Sequence, residues 1–141
     1  MRNIIYYVAT SLDGYIAGPN EDISKFAAAG EGVQQYLADL QAFKTVIMGR
    51  KTYELGYKNG LEAGQPAYPH MDHYIFSTSL KFEKQHSKVH IVKPEIALIN
   101  DLKSKATTDI YLCGGGAFAG WLLENQMIDI LKQKVNHIVL G

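Results

Sequence analysis

The chain has 141 residues, of which 47% are apolar and 20% charged, and its 14 basic side chains balance its 14 acidic ones. This length and composition predict one globular domain and exclude an intrinsically disordered chain. The balanced charge argues against nucleic acid as the main partner, and the single cysteine excludes an internal disulfide.

The predicted elements alternate between strands and helices along the chain. In order they are a strand at 3–9, a helix at about 31–43, strands at 45–49, 73–77 and 89–92, a helix at 94–105, a strand at 109–113, a helix at about 116–125 and a strand at 130–140. Residues 56–72 carry Gly, Pro and Asn and are predicted to be an exposed excursion. The alternation indicates an α/β domain in which helices cover both faces of a mostly parallel sheet.

The first predicted strand is not a targeting or membrane segment. Its apolar run is soon followed by Thr10, Ser11 and Asp13, which makes it too short and too polar for a signal peptide or a membrane span. We therefore expect a cytoplasmic protein without a membrane partner.

Polar segments follow three of the predicted strands: "GRKTYE" from Gly49, "STS" from Ser77 and "GGGAF" from Gly114. Ligands of such sheets bind beyond the carboxyl ends of the strands. The segments offer cations, hydroxyls and exposed backbone N–H groups, which are the groups that bind phosphates: Arg50, Lys51, Thr52, Ser77, Thr78, Ser79 and Gly114 to Gly116. Each segment alone also fits a plainer structural role, as a tight turn, a solvated helical turn or a polar strand end. Their shared position favours a site for a ligand with several phosphates.

These motifs together resemble the dihydrofolate reductase fold. "VIMGRKTYE", "YIFSTS" and "IYLCGGGAF" occur in the family's order, and "SLDGYIAGPNED" is similar to its bacterial relatives that resemble the reductase domain of riboflavin biosynthesis. The resemblance covers nearly the whole chain. It implies an NADPH-dependent reductase of a small heterocyclic substrate, pteridine or pyrimidine-like.

The resemblance also implies roles for individual residues. Gly49, Arg50, Lys51 and Thr52 would meet the phosphates of NADPH, Ser77 and Thr78 would hold the 2′-phosphate, and Lys93 would lie near the adenine. Gly114, Gly115, Gly116 and Ala117 would run along the diphosphate, with a cis peptide between the first two glycines. Ala9 and Thr10 would lie beside the nicotinamide, under a loop formed by "SLDGYIA".

Two carboxylates are candidates for handling the proton in catalysis, because burial near an apolar ring can raise a carboxyl pKa. Asp13 has the alternative role of a turn residue, and Asp22 that of a helix cap. Relatives commonly show "DIDWL" where this chain has "DISKF", with Ser24 and Lys25 replacing the acid and the tryptophan. A protein that binds NADPH with weak or no turnover is therefore the alternative function.

We interpret the other potentially reactive side chains as structural. His70, Asp72 and His73 lack a third histidine at a useful spacing, so we predict no metal site. Cys113 is interpreted as a small hydrophobe and Trp121 as helix packing.

The strand at 130–140 carries a prediction about assembly. Family members usually continue with a further pair of strands, so we expect this strand to be the edge of a roughly six-stranded sheet that lacks that pair. Lys132, Lys134 and Asn136 would point outward. An uncovered edge invites pairing, so we expect a symmetric homodimer in which the same strand of a second copy, or a helix, covers it.

Overall fold

The computed structural model describes residues 1–16, 18 and 31–141. It contains, in chain order, β1 (Ile4–Thr10), α1 (Glu31–Leu40), β2 (Thr45–Gly49), α2 (Arg50–Leu55), a 3-10 turn (Gly56–Asn59), β3 (Asp72–Phe76), β4 (Val89–Val92), α3 (Ile96–Lys105), β5 (Ile110–Gly114), α4 (Gly116–Glu124) and β6 (Ile130–Val135).

The six strands form one parallel sheet in the order β4-β3-β2-β5-β1-β6. The central strands β2 and β5 are buried almost throughout, which explains why their sequences read as continuous apolar runs. The predicted α/β class and the parallel sheet are confirmed.

Helices cover both faces of the sheet, so the domain has the predicted three layers. On one face, Leu40 of α1 and Tyr53 of α2 pack in a cluster with β-strand side chains. On the other face, Ile99 of α3 and Leu122 of α4 do the same. These two clusters fix the helices that follow β2 and β5, and thus the loops at the carboxyl edge of the sheet.

The segment at 56–72, before β3, is less exposed than predicted. Met71 is fully buried, and the Tyr53 hydroxyl donates to the Gln65 carbonyl at 2.6 Å. A local count of Gly, Pro and Asn does not reveal these contacts, because they form with residues elsewhere in the chain.

The last strand is shorter than predicted and ends at Val135. Lys132 is exposed, but Asn136 is buried and donates from Nδ2 to the Thr10 carbonyl at 3.3 Å, so its predicted outward orientation is wrong. The strand lies at the edge of the described sheet, as predicted, and pairs with β1.

Candidate functional site

A cavity of about 810 Å³ opens at the carboxyl ends of the strands, within the range of small-molecule and cofactor sites. It is bounded by the residues after β2, the end of β3 and the first turns of α4. Its lining residues are Ile16, Gly49, Arg50, Lys51, Thr52, Leu55, Phe76, Pro94, Gly115, Gly116, Ala117, Phe118 and Trp121.

The glycine segment between β5 and α4 forms one wall. The Gly114–Gly115 peptide is cis, in agreement with the resemblance, and Gly114 has a φ of +129°. A Cβ atom on Gly115 would lie 2.9 Å from Thr52 Oγ1, whereas one on Gly116 would meet no atom within 4 Å. Glycine is therefore favoured at Gly114 by its backbone conformation and at Gly115 by the closeness of the Thr52 side chain, while Gly116 faces open space.

The start of α4 offers backbone donors to the cavity. Gly115 is the N-cap of this helix, and no side chain caps it. The first N–H groups of an α-helix have no partner within the helix, and its positive dipole end attracts anions. This wall is thus suited to a phosphate.

Arg50 provides the cationic wall and is held in place by two side chains. It donates from Nε to Glu54 at 3.1 Å and from a terminal nitrogen to Ser79 Oγ at 2.7 Å. Ser77 is occupied differently, since its Oγ accepts the Ser79 and Leu80 N–H groups. Of the three hydroxyls in "STS", Ser79 is therefore the one that contacts Arg50, although Ser77 and Thr78 were predicted for the 2′-phosphate.

The apolar part of the cavity is aromatic. The Phe76 and Phe118 rings stack with centroids 5.0 Å apart, and Trp121 lies 5.9 Å from Phe118. Trp121 packs in the helix layer, as predicted, but it also lines the cavity. The signal was available in the sequence, because residues 118 and 121 are three apart at the start of a helix and so share a face.

The end of β1 lies at the same carboxyl edge of the parallel sheet as the cavity but does not line it. Thr10 is 2% exposed, and within the described residues its Oγ1 has no hydrogen-bond partner. A buried hydroxyl without a partner is costly, and a ligand group could satisfy it only by reaching an atom that is closed to solvent in this structure.

The structure describes one of the two predicted proton donors, Asp13, and not the other, Asp22. Asp13 is exposed, and its carboxylate accepts hydrogen bonds from the Ser11 hydroxyl and from the N–H groups of Leu140 and Gly141. The Ser11 hydrogen bond lowers the pKa of Asp13, which favours the ionised form and the turn role. Asp22, with Ser24 and Lys25, lies outside the described residues.

The histidines and the cysteine have structural partners. His73 is fully buried; its Nε2 accepts the Tyr68 N–H at 3.1 Å, and its Nδ1 is bonded to the Met71 carbonyl at 2.9 Å. Burial lowers the pKa of His73 to about 4. Cys113 contacts the Tyr68 hydroxyl at 3.6 Å, and burial raises the pKa of its thiol. The part of the chain that the structure describes contains no group of three metal-binding side chains.

The structure thus brings most of the predicted phosphate-binding residues to one cavity and leaves others outside it. Gly49, Arg50, Lys51, Thr52, Gly115, Gly116 and Ala117 line it, and Gly114 adjoins it. The predicted residues that do not line it are Ala9, Thr10, Asp13, Ser77, Thr78 and Lys93.

Comparison with known proteins identifies the family. The sequence profile of the RibD C-terminal domain matches residues 2–141. The chain belongs to the RibD C-terminal domain family. The uncharacterised protein YwjB of Bacillus subtilis is 30% identical over 145 residues, which cover 99% of this chain and 79% of that protein.

Solved structures show the same fold. A putative riboflavin biosynthesis protein from Shewanella sp. PV-4 has a TM-score of 0.79 at 24% identity, covering 99% of this chain and 79% of that one. A dihydrofolate reductase from Enterococcus faecalis, complexed with NADP(H) and RAB-propyl, has a TM-score of 0.67 at 15% identity, covering 99% and 73%.

Members of the RibD C-terminal family and their dihydrofolate reductase-like neighbours thus share the architecture described above. The fold is that of a reductase-type family, and the predicted resemblance is confirmed. None of the described helices is long and apolar enough to cross a membrane.

Proposed function

We propose that this protein binds NADPH and reduces a small heterocyclic substrate, pteridine or pyrimidine-like, by hydride transfer. The observation that carries the proposal is the cavity itself, which combines uncapped helix N–H groups, Arg50 and Lys51 with an aromatic wall. A dinucleotide has both kinds of group, phosphates and flat rings. Family membership adds a reductase fold to this chemistry.

The residues fit the cofactor in several ways. The N–H groups at the start of α4 would receive the diphosphate, with Thr52 and Lys51 as side-chain ligands. Because Gly116 has no side chain and faces open space, a phosphate can approach the backbone there. The Thr10 hydroxyl would gain a polar partner near the nicotinamide.

Arg50 would select NADPH over NADH. Its guanidinium is exposed enough to reach a ligand, with 44% of the side chain accessible, and Ser79 orients it. Charge-assisted hydrogen bonds to a phosphate are stronger than neutral ones, so the extra 2′-phosphate gains most from this residue. Glu54 competes for the same guanidinium and reduces the gain.

The aromatic wall would hold a planar ring. Phe76, Phe118 and Trp121 present ring faces and edges to the cavity, and such surfaces favour stacked or edge-to-face contacts with heteroaromatic groups. Phe76 is buried in the cluster that contains Ile99 and Leu122, and the partly buried Phe118 packs against that cluster, so packing holds both rings in place.

Bound NADPH supplies the hydride, and the protein supplies binding and orientation. The Asp13 carboxylate already accepts hydrogen bonds from the Ser11 hydroxyl and from two backbone N–H groups, so it is not free to supply the proton. That observation favours the alternative function, an NADPH-binding protein with weak or no turnover.

The cofactor assignment is tested by titration with NADPH and NADH. Trp121 is the sole tryptophan and lines the cavity, so energy transfer from its emission to bound nicotinamide reports binding. We expect tighter binding of NADPH, a narrower preference in Arg50→Ala, and a wider one in Glu54→Gln. Arg2→Ala, remote from the cavity, is the matched control. Equal affinities for the two cofactors in the unmodified protein would refute the assignment.

Turnover is tested separately, by NADPH oxidation with pteridine, pyrimidine and quinone compounds. Oxidation by a pteridine or pyrimidine supports the reductase. Selective NADPH binding without oxidation by any of these compounds supports the binding protein instead.

A further inference from the structure

A second cavity, of about 350 Å³, opens at the amino edge of the sheet, whereas the first lies at the carboxyl edge. Thr45 and Asp72 are the first residues of β2 and β3, and the later turns of α3 lie beside them. The volume suits a small metabolite. The lining residues are Lys44, Thr45, Asp72, Tyr74, Asp101, Leu102, Lys105, Ala106 and Thr107.

Thr45 offers this cavity a hydroxyl that has no partner. Its side chain faces the same side of β2 as Ile47, which packs in one cluster with Ile99 of α3. Thr45 is only 8% exposed, and within the described residues its hydroxyl makes no hydrogen bond. Unlike the Thr10 hydroxyl, it is not closed to solvent. A ligand in the cavity can therefore supply the missing hydrogen bond.

Tyr74 offers a second hydroxyl. Its ring stacks on His90 of the neighbouring strand, with centroids 4.8 Å apart, which holds the side chain in place. No residue in the described part of the chain hydrogen-bonds to this hydroxyl. Burial, and then the nearby Asp72 and Asp101 carboxylates, raise the pKa of Tyr74. The hydroxyl therefore stays neutral and can donate to a ligand.

The charges that line the cavity are only partly paired. Asp101 accepts from Lys105 at 3.0 Å, which neutralises both side chains. Among residues 1–16, 18 and 31–141, no carboxylate lies within 4.0 Å of the Lys44 ammonium, and the contact of Asp72 is a long one, at 4.0 Å from His90 Nε2. One cation and one anion thus line the same cavity without pairing with each other.

This charge pattern selects the kind of ligand. A purely anionic ligand would face two carboxylates, and a purely cationic one would face two ammonium groups. We propose that the cavity binds a small zwitterion, an α-amino acid with a short side chain. Its carboxylate would meet Lys44, its ammonium group would meet Asp72, and the Thr45 and Tyr74 hydroxyls would complete its hydrogen bonds. This site is independent of the proposed NADPH site, because the two lie at opposite edges of the sheet.

Titration of the full 141-residue chain, followed by NMR of its backbone amides, tests the site. The probes are glycine, L-alanine, L-serine and L-threonine. We expect saturable shifts at the amides of Thr45, Asp72 and Lys105, with a dissociation constant of about 1 mM for L-serine. Ethanolamine lacks the carboxylate of serine and hydroxypropionate lacks its ammonium group, so each should bind about tenfold more weakly or worse.

Two variants assign the two charges. Lys44→Met should weaken the binding of L-serine about tenfold and leave that of ethanolamine unchanged, because ethanolamine has no carboxylate to lose a partner. Asp72→Asn should weaken L-serine similarly and leave hydroxypropionate unchanged. Lys84→Met and Glu83→Gln remove charges at exposed positions outside the cavity and are the matched controls.

Three results would overturn the proposal. The first is the absence of saturable shifts at these amides with every one of the amino acids. The second is equal affinity for L-serine and its two single-charge analogues. The third is an effect of Lys44→Met or Asp72→Asn on L-serine binding that is no larger than the effect of its control variant.

Discussion

Alanine substitutions at the three consecutive glycines should separate folding from cofactor binding. The structure gives each position a different constraint: a positive φ at Gly114, the Thr52 hydroxyl close to Gly115, and open cavity at Gly116. The same methyl group therefore has three different consequences.

The expected changes in unfolding free energy follow from these constraints. Gly114→Ala should cost about 1–3 kcal/mol, because its φ is unfavourable for a residue with a Cβ. Gly115→Ala should cost about 1 kcal/mol, since Thr52 must leave its rotamer to relieve a 2.9 Å contact. Gly116→Ala lies in the first turn of α4 and should gain about 0.5–1 kcal/mol.

The effects of these substitutions on NADPH binding should differ from their effects on stability. At Gly116 the methyl group would project into the cavity where the diphosphate is proposed to lie, so the NADPH dissociation constant should rise about tenfold or more, which corresponds to about 1.4 kcal/mol. Gly115→Ala should also abolish or greatly weaken binding in a folded domain, mainly by displacing Thr52.

Denaturant unfolding and the Trp121 titration measure the two effects on the same samples. The decisive variant is Gly116→Ala, which should be more stable than the unmodified protein and yet bind NADPH more weakly. Gly120→Ala, a glycine later in α4 with no atom near its Cβ position, is the control for helix stabilisation alone. If Gly116→Ala binds NADPH normally, the glycine wall does not hold the diphosphate.

Three further predictions concern stability and the proton. Burial lowers the pKa of His73 to about 4 in the folded protein from an ordinary 6.5, so its contribution to the free energy of unfolding, about 3 kcal/mol, is complete above pH 6.5 and is lost as the pH falls toward 4. His73→Gln should therefore make the free energy of unfolding less dependent on pH between 4 and 6.5. An unchanged pH dependence in this variant would contradict the prediction. Asp13→Asn should leave the pH profile of NADPH oxidation unchanged, and loss of turnover with intact NADPH binding would restore Asp13 as the proton donor. Lys103→Met should cost about 2 kcal/mol, because it removes the cation 2.8 Å from Asp129 and leaves that carboxylate with the Ile4 N–H as its remaining hydrogen-bond donor, and NADPH affinity should not change. Lys105→Met, in an exposed pair, should cost well under 1 kcal/mol, and equal losses in the two variants would contradict the importance of burial.

The sequence by itself determined the class of fold and the edge of the sheet where the site lies. Short apolar runs such as "TVIMG" and "IYLCG" are typical of strands buried on both faces, and parallel strands place the segments that follow them on one edge. The three glycines and Arg50 could be recognised as phosphate-binding candidates from the sequence, since the groups they offer do not depend on distant partners.

Tertiary structure alone decided which side chains meet. Ser79 rather than Ser77 contacts Arg50 because the turn after β3 uses Ser77 Oγ for its own backbone, and Asn136 is buried because it reaches Thr10, far away in sequence. Hydropathy and spacing record the periodicity of each segment but not its neighbours. Packing against those neighbours determines which polar atoms remain available to a ligand.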